Sequence, residues 1–236
     1  QIPFASLKKN IEAALEKVKE GVFSSDLLSK LLVISGVDWT KIHLLKALTN
    51  YLHQTGIPYE RTYVQSTLIK HHQFTKQLFE LFDSLFNPKS HSQKLTKSIT
   101  KELVNYLDTV SNSTEDKVLR NMYQTILSII RTNFYQTKNN EVKNYISFKF
   151  NSSKVPDLPL PRPYAEIFIY SNEFEGIHLR GGKVARGGIR WSNRGEDYRV
   201  EVLGLMKSQM TKNTVIVPVG SKGCFFVKLE QGSLSR

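Results

Sequence analysis

The chain has 236 residues, 40% of them apolar, enough to bury a core and long enough for one large domain or two smaller ones. No apolar run approaches the roughly 18 residues that cross a bilayer, and the opening QIPFASLKKN lacks a signal-peptide core, so the expectation is a cytoplasmic protein with no membrane partner. The formal charge of +12 invites a polyanion, but the cations of the N-terminal part are interleaved with apolar residues at helical spacing, so a solvated surface plus an anion site is expected and no nucleic acid.

Taken in chain order, Ser6 to about Gln136 reads as a run of helices, because apolar residues recur at three and four. One helix is expected over Tyr63 to Phe86, with Leu68, Phe74, Leu78, Leu81, Phe82 and Leu85 as its stripe, ended by Asn87-Pro88. Another starts at Ser113-Thr114-Glu115-Asp116 and runs through Val118, Leu119, Met122 and Ile126 to Ile129-Ile130. Asn112 and Asn151 begin glycosylation-type triplets but read as ordinary loop asparagines.

Beyond a boundary placed near Glu141, Tyr145 to Phe150 alternates as a half-buried strand. VPDLPLPRP is an extended linker, since its prolines forbid a helix. Glu166 to Tyr170 and Ile177 to Arg180 read as strands. Glu196 to Lys212 reads as a helix with Val200, Leu203, Met206 and Met210 on one side and Gly204 as a close-packing point, followed by a short buried strand, Val215-Ile216-Val217. The single cysteine, Cys224, excludes an intrachain disulfide, and no histidine has Cys or carboxylate neighbours at ligand spacing, so no metal is expected.

From Glu175 onward there are eleven Lys or Arg against five Asp or Glu. Here Arg186, Lys212 and Lys222 each stand beside glycine or a helix end. A cation next to the pair Gly187-Gly188, which has no Cβ to obstruct a close approach, suits a carboxylate. The stretch therefore reads as a cradle for a small dicarboxylate. Arg190 and Arg194 are expected to pair with Glu196 or Asp197, and Lys207 to be solvated.

The blocks ARGGIRW, EVLGLMKSQMTKN and VIVPVGSKG, preceded by ALTNYLHQTGIPYERTYVQSTL and PDLPLPRPYAEIFIYS, resemble in their order the large multi-domain NAD-dependent glutamate dehydrogenases of bacteria, roughly from Leu44 to Lys228. The resemblance implies an α+β or α/β chain: a helical region over 1–140, a partial substrate-binding domain over 141–228 and a non-family tail over 229–236. It implies L-glutamate and 2-oxoglutarate as substrate and product, NAD as cofactor and a homo-oligomer at full length. Lys222 matches the family's catalytic lysine and Lys212 the lysine that meets the α-carboxylate. Arg186 stands where small-class members carry lysine before the glycine pair, with Gly187 and Gly188 beside it.

Ser221 and Cys224 stand where the small-class pattern has alanine and glycine, and a Cβ at Cys224 would crowd a turn of positive φ. The Rossmann domain and the family's downstream aspartate are absent from this text, and GGKVARGG lacks the context of a dinucleotide fingerprint. The expectation is an internal or truncated piece of a longer dehydrogenase, inactive alone, whose partner would be the C-terminal NAD domain or a complementary polypeptide. The alternative is a non-catalytic remnant or a helical interaction module.

Overall fold

A short polar side chain begins α3 (Trp39–Gln54): Asp38 Oδ1 accepts from the amides of Thr40 at 2.8 Å and Lys41 at 3.2 Å. The computed structural model describes residues 3–139, 141–185, 187–212 and 219–228. Helices α1 (Phe4–Lys19), α2 (Lys30–Ile34), α4 (Arg61–Lys70) and α7 (Ser113–Ser128) pack on α3, which buries Ile42, Leu44, Leu45, Leu48, Tyr51 and Leu52, while α5 (His72–Phe86) packs on α4 and α7 and α6 (Gln93–Leu107) on α5 and α7. A helix buried on most of its circumference needs partners on every side, and here they are its neighbours and a sheet.

Two expectations in this region are corrected. The helix expected over Tyr63 to Phe86 is two helices, α4 and α5, broken at His71, whose φ of −95° and ψ of 45° are not helical. The stripe contains the cause: Leu68 and Phe74 are six residues apart, which on a continuous helix would rotate the apolar face by about 120°. His71 holds the break, with Nδ1 2.9 Å from the Tyr106 hydroxyl and Nε2 2.9 Å from Glu115. Likewise α7, begun by Asn112 Oδ1 at 2.9 Å from Thr114 N, ends at Ser128. Ile129 and Ile130 belong to strand β1 (Ile129–Thr132), where a β-branched run pairs with the sheet instead of extending the helix.

The sheet follows. A two-residue ribbon, β2 (Thr137–Lys138) with β3 (Glu141–Val142), precedes β4 (Tyr145–Asn151), β5 (Ala165–Ser171), β6 (Phe174–Arg180), β7 (Ile189–Trp191) and, after helix α8 (Tyr198–Lys212), β8 (Ser221–Val227). The six-stranded sheet has order β1-β4-β5-β6-β8-β7, antiparallel except for the parallel pair β7 and β8. The molecule is thus α+β with a mixed sheet. Strand alternation is as expected in β4, where Ile146, Phe148 and Phe150 are buried. These residues, with Phe168, Tyr170, Ile177 and Leu179, form the sheet face that joins the helical core. Between β4 and β5 the proline-rich segment is anchored by buried Val155 and Leu158.

In α8 the buried residues are Tyr198, Arg199, Val202, Leu203 and Met206, at spacings of three and four. Val200, expected in that stripe, is 49% exposed, and Gly204 faces open space instead of a close contact. The expected strand at 215–217 lies outside the described residues.

Arg199 and Glu166 are both fully buried and pair at 2.6 Å and 3.0 Å, while the Tyr51 hydroxyl donates to Glu166 Oε2 at 3.1 Å. Gln54 adds two bridges, accepting from Arg199 N at 3.1 Å and donating to the Gly195 carbonyl at 2.9 Å. This cluster joins α3, β5 and α8. Removing one member leaves a buried charge alone, so Arg199→Met should cost about 3–5 kcal/mol, and adding Glu166→Leu should recover at least half of that. Urea unfolding followed by circular dichroism gives both values; a double variant no more stable than the single one would contradict the account.

His43 is buried among the rings of Phe23, Trp39 and Tyr170. Burial, with Lys46 and Lys228 nearby, pulls its pKa down to about 4. The unfolded chain takes up this proton near the usual value of about 6.5, so folded stability falls as pH drops from there towards the lowered folded value. Between pH 7 and pH 5 the unsubstituted chain should lose about 2 kcal/mol more than a His43→Leu variant. Urea midpoints at the two pH values measure the difference, and equal losses would remove His43 as its source.

Candidate functional site

Lys222 lies on β8, so the expectation of a glycine-flanked loop is corrected: Leu179 of β6 pairs with Lys222 on one side, and β7 runs parallel on the other, Ile189 opposite Gly223. Strand alternation places Lys222, Cys224 and Phe226 on the face covered by α8. There the Cys224 thiol is buried beside the Tyr198 carbonyl, and the Phe226 ring stacks on Tyr198 at 6.5 Å. Cys224 therefore sits in regular strand without positive φ, and its Cβ crowds no turn. Burial pushes its thiol up to about 12. Lys222 is half-buried and has no hydrogen bond or ion pair among the described residues.

The glycine pair meets this strand. Gly187 has φ of +113°, and a Cβ there would fall 1.8 Å from the Ser221 carbonyl oxygen and 3.6 Å from Lys222 Cδ. Gly188 accepts from Gly223 N at 3.2 Å. Only glycine serves at 187, on both grounds. Arg186, bonded to Gly187, lies outside the described residues, and so does the side chain of Lys212, although its backbone closes α8.

α8 is brought to β8 by close contacts. A Cβ on Gly220 would meet the Met206 carbonyl at 2.7 Å, Gly181 N donates to the Gly220 carbonyl at 2.8 Å, and Gln209 Oε1 accepts from Ser221 N at 3.1 Å. The last turns of α8, the start of β8 and Gly187-Gly188 thus converge. Gln209 was not singled out in the sequence; a polar residue facing a glycine-rich strand start, one turn before Lys212, is the signal that marks it.

Arg194 pairs with Asp197 as expected, whose carboxyl it holds below its usual range. Arg190 departs from expectation and meets Glu201 at 3.3 Å, while Glu196 reaches His53 at 2.8 Å and Arg61 at 3.3 Å. Lys207 is exposed, as expected. The glycine-rich segment runs from β6 into β7, two strands of one sheet, and so presents no helix N-terminus to a dinucleotide pyrophosphate. This segment therefore does not fit a dinucleotide pyrophosphate. No helix among the described residues is long and apolar enough to cross a membrane, and no group there of three or more His, Cys, Asp or Glu could hold a metal.

Residues 102–236 match the family described as bacterial NAD-glutamate dehydrogenase, catalytic domain. The chain belongs to this family. Residues 23–88 match a second description, glutamate dehydrogenase, helical motif 3. The NAD-specific glutamate dehydrogenase of Pseudomonas aeruginosa is 40% identical over 95% of the chain, that of Halomonas elongata 39% over 91%, and that of Mycobacterium tuberculosis 38% over 91%. The chain spans 14% of the length of each of these dehydrogenases.

Two substitutions test the packing of the glycine pair. Gly187→Ala should destabilise by about 3 kcal/mol or more through strain and collision. Gly188→Ala, where an added Cβ meets nothing within 4 Å, should leave the melting temperature nearly unchanged. Thermal unfolding separates them, and equal effects would show that the close approach is not what selects glycine.

Proposed function

We propose that the chain supplies part of the glutamate-binding half of an NAD-dependent glutamate dehydrogenase. The reaction oxidises L-glutamate with NAD+ and water to 2-oxoglutarate, ammonium, NADH and a proton, and this chain alone does not turn over. In this reading residues 1–140 are mainly helical support, their strand β1 pairing with the sheet of residues 141–228, which form the substrate-binding part. The observation that carries it is the convergence of Gly187-Gly188, the end of α8 and Lys222, three blocks distant in sequence.

The roles are those that the family resemblance implies, and the chemistry of the reaction suits them. Glutamate brings two carboxylates and an α-carbon that loses hydride, leaving an iminium for water to hydrolyse. Lys222, half-buried with its ammonium unpaired among the described residues, is assigned to the water and carbonyl oxygen at that carbon, where it holds and moves a proton. Lys212, at the end of α8, is assigned to the α-carboxylate, and Arg186 to the other carboxylate through its planar fork. Gly187 and Gly188 let the backbone approach the ligand. NAD is the cofactor for which the relatives are named.

The test uses a polypeptide of the relatives' full length that carries this sequence. It should reduce NAD+ with L-glutamate, and Lys222→Ala should lower kcat by about 10²–10⁴-fold with an unchanged circular dichroism spectrum. Failure of the unsubstituted polypeptide would overturn the reaction. Near-normal turnover by the variant would remove Lys222 from it.

A further inference from the structure

The sheet face opposite Lys222 carries a second concentration of positive charge. Arg131 of β1 is directly opposite Lys149 of β4, Lys149 is opposite Ile167 of β5, and Ile167 is opposite His178 of β6. These four residues form one rung across four strands, with Arg180 two residues beyond His178. Like charges directly opposed across a ladder are destabilising, yet neither Arg131 nor Lys149 has an ion pair among the described residues.

Together with Lys143 they border a groove of about 400 Å³ that, among the described residues, no carboxylate lines. Arg180 Nε is buried there with no hydrogen-bond partner. Among the described residues Lys143 donates to a neutral acceptor, Gln136 Oε1, at 2.8 Å and lies 5.7 Å from the centroid of the Tyr145 ring. Arg180 also draws the pKa of His178 down, after burial. The local frame is fixed, since Asn133 accepts from Ser147 N at 2.7 Å and donates to the Tyr145 carbonyl at 3.2 Å, tying the end of β1 to β4.

Two guanidinium forks and two ammonium groups share a groove that holds no compensating carboxylate, and β1 lies three strand spacings, roughly 14 Å, from β6. One small carboxylate would leave most of these charges unmet. A linear anion with several charges would answer them together, and arginine forks match phosphate oxygens in pairs. We propose that this groove binds a polyphosphate chain, free or carried on an ester, at a site separate from the Lys222 cluster. It lies on the other face of the sheet and does not depend on the dehydrogenase reading.

The experiment is calorimetric titration of this chain with tripolyphosphate at constant ionic strength. A saturable one-to-one complex is expected, weakened at least about tenfold in Arg131→Gln/Lys149→Gln, because two charge-assisted contacts are lost. Lys94→Gln/Lys97→Gln removes the same charge from exposed positions on α6 and should stay within about twofold of the unsubstituted chain. Circular dichroism melts verify that both variants are folded. A nucleoside triphosphate binding more tightly than tripolyphosphate would assign the groove to the ester, and the reverse order to the free anion. Equal weakening in both double variants, equal binding of succinate, or retention of an oligonucleotide without binding of tripolyphosphate would each overturn the proposal.

Discussion

The buried contact between Arg199 and Glu166 is the constraint on which the arrangement of the sheet and its covering helices depends. A charge on β5 and a charge on α8, each fully buried, are tolerable only when they meet, and they meet only if α8 lies across the sheet at one angle and one height. Tyr51 brings α3 into the same contact, and its ring stacks on Phe150 at 4.0 Å. The direction of α8 then decides where its last turns arrive. They arrive at Gly220 and Ser221, beside the strand that carries Lys222.

Sidedness organises the remainder. On the helix-covered face, β5, β6 and β8 present Phe168, Leu179 and Cys224, and of the polar groups there Glu166, Glu175 and Lys228 are partnered, while Lys222 has no partner among the described residues. Glu175 accepts from Tyr198 at 2.9 Å and meets Lys228 at 2.8 Å, while Lys228 also donates to the Ser171 carbonyl at 2.8 Å. On the open face, Ile189, Trp191 and Phe225 are exposed at one edge, and the cations of β1, β4 and β6 occupy the other. One sheet thus separates two surfaces of different chemistry, and the register of each strand decides which surface a side chain joins.

Much of this was legible where local and tertiary preferences agree. The alternation of β4 survives because its buried face packs on helices, and α7 starts at Ser113 as its hydroxyls and acidic first turn predict, although the cap is Asn112, which read as a loop residue. The cluster of Gly187 and Lys222 was legible as a juxtaposition, but its strand geometry was not, because a lysine between glycines reads locally as a loop while pairing with β6 and β7 makes it strand. The break at His71 was visible only as a six-residue gap in the apolar stripe. The placement of Ile129 and Ile130 depended on β4, a partner distant in sequence. Glu166 offered a clue that propensity alone does not weigh: a carboxylate on the same face of its strand as Phe168 and Tyr170 requires a buried cation, and Arg199 occupies the buried stripe of α8.

Cys224 carries a consequence for reactivity. Only the thiolate is a competent nucleophile, and burial on the inner side of β8 holds this thiol protonated across the neutral range. Alkylating reagents and mild oxidants therefore find no target while β8 is seated between β6 and β7. When that strand leaves its place the sulfur regains ordinary acidity, so the single thiol records the opening of the strand that bears Lys222.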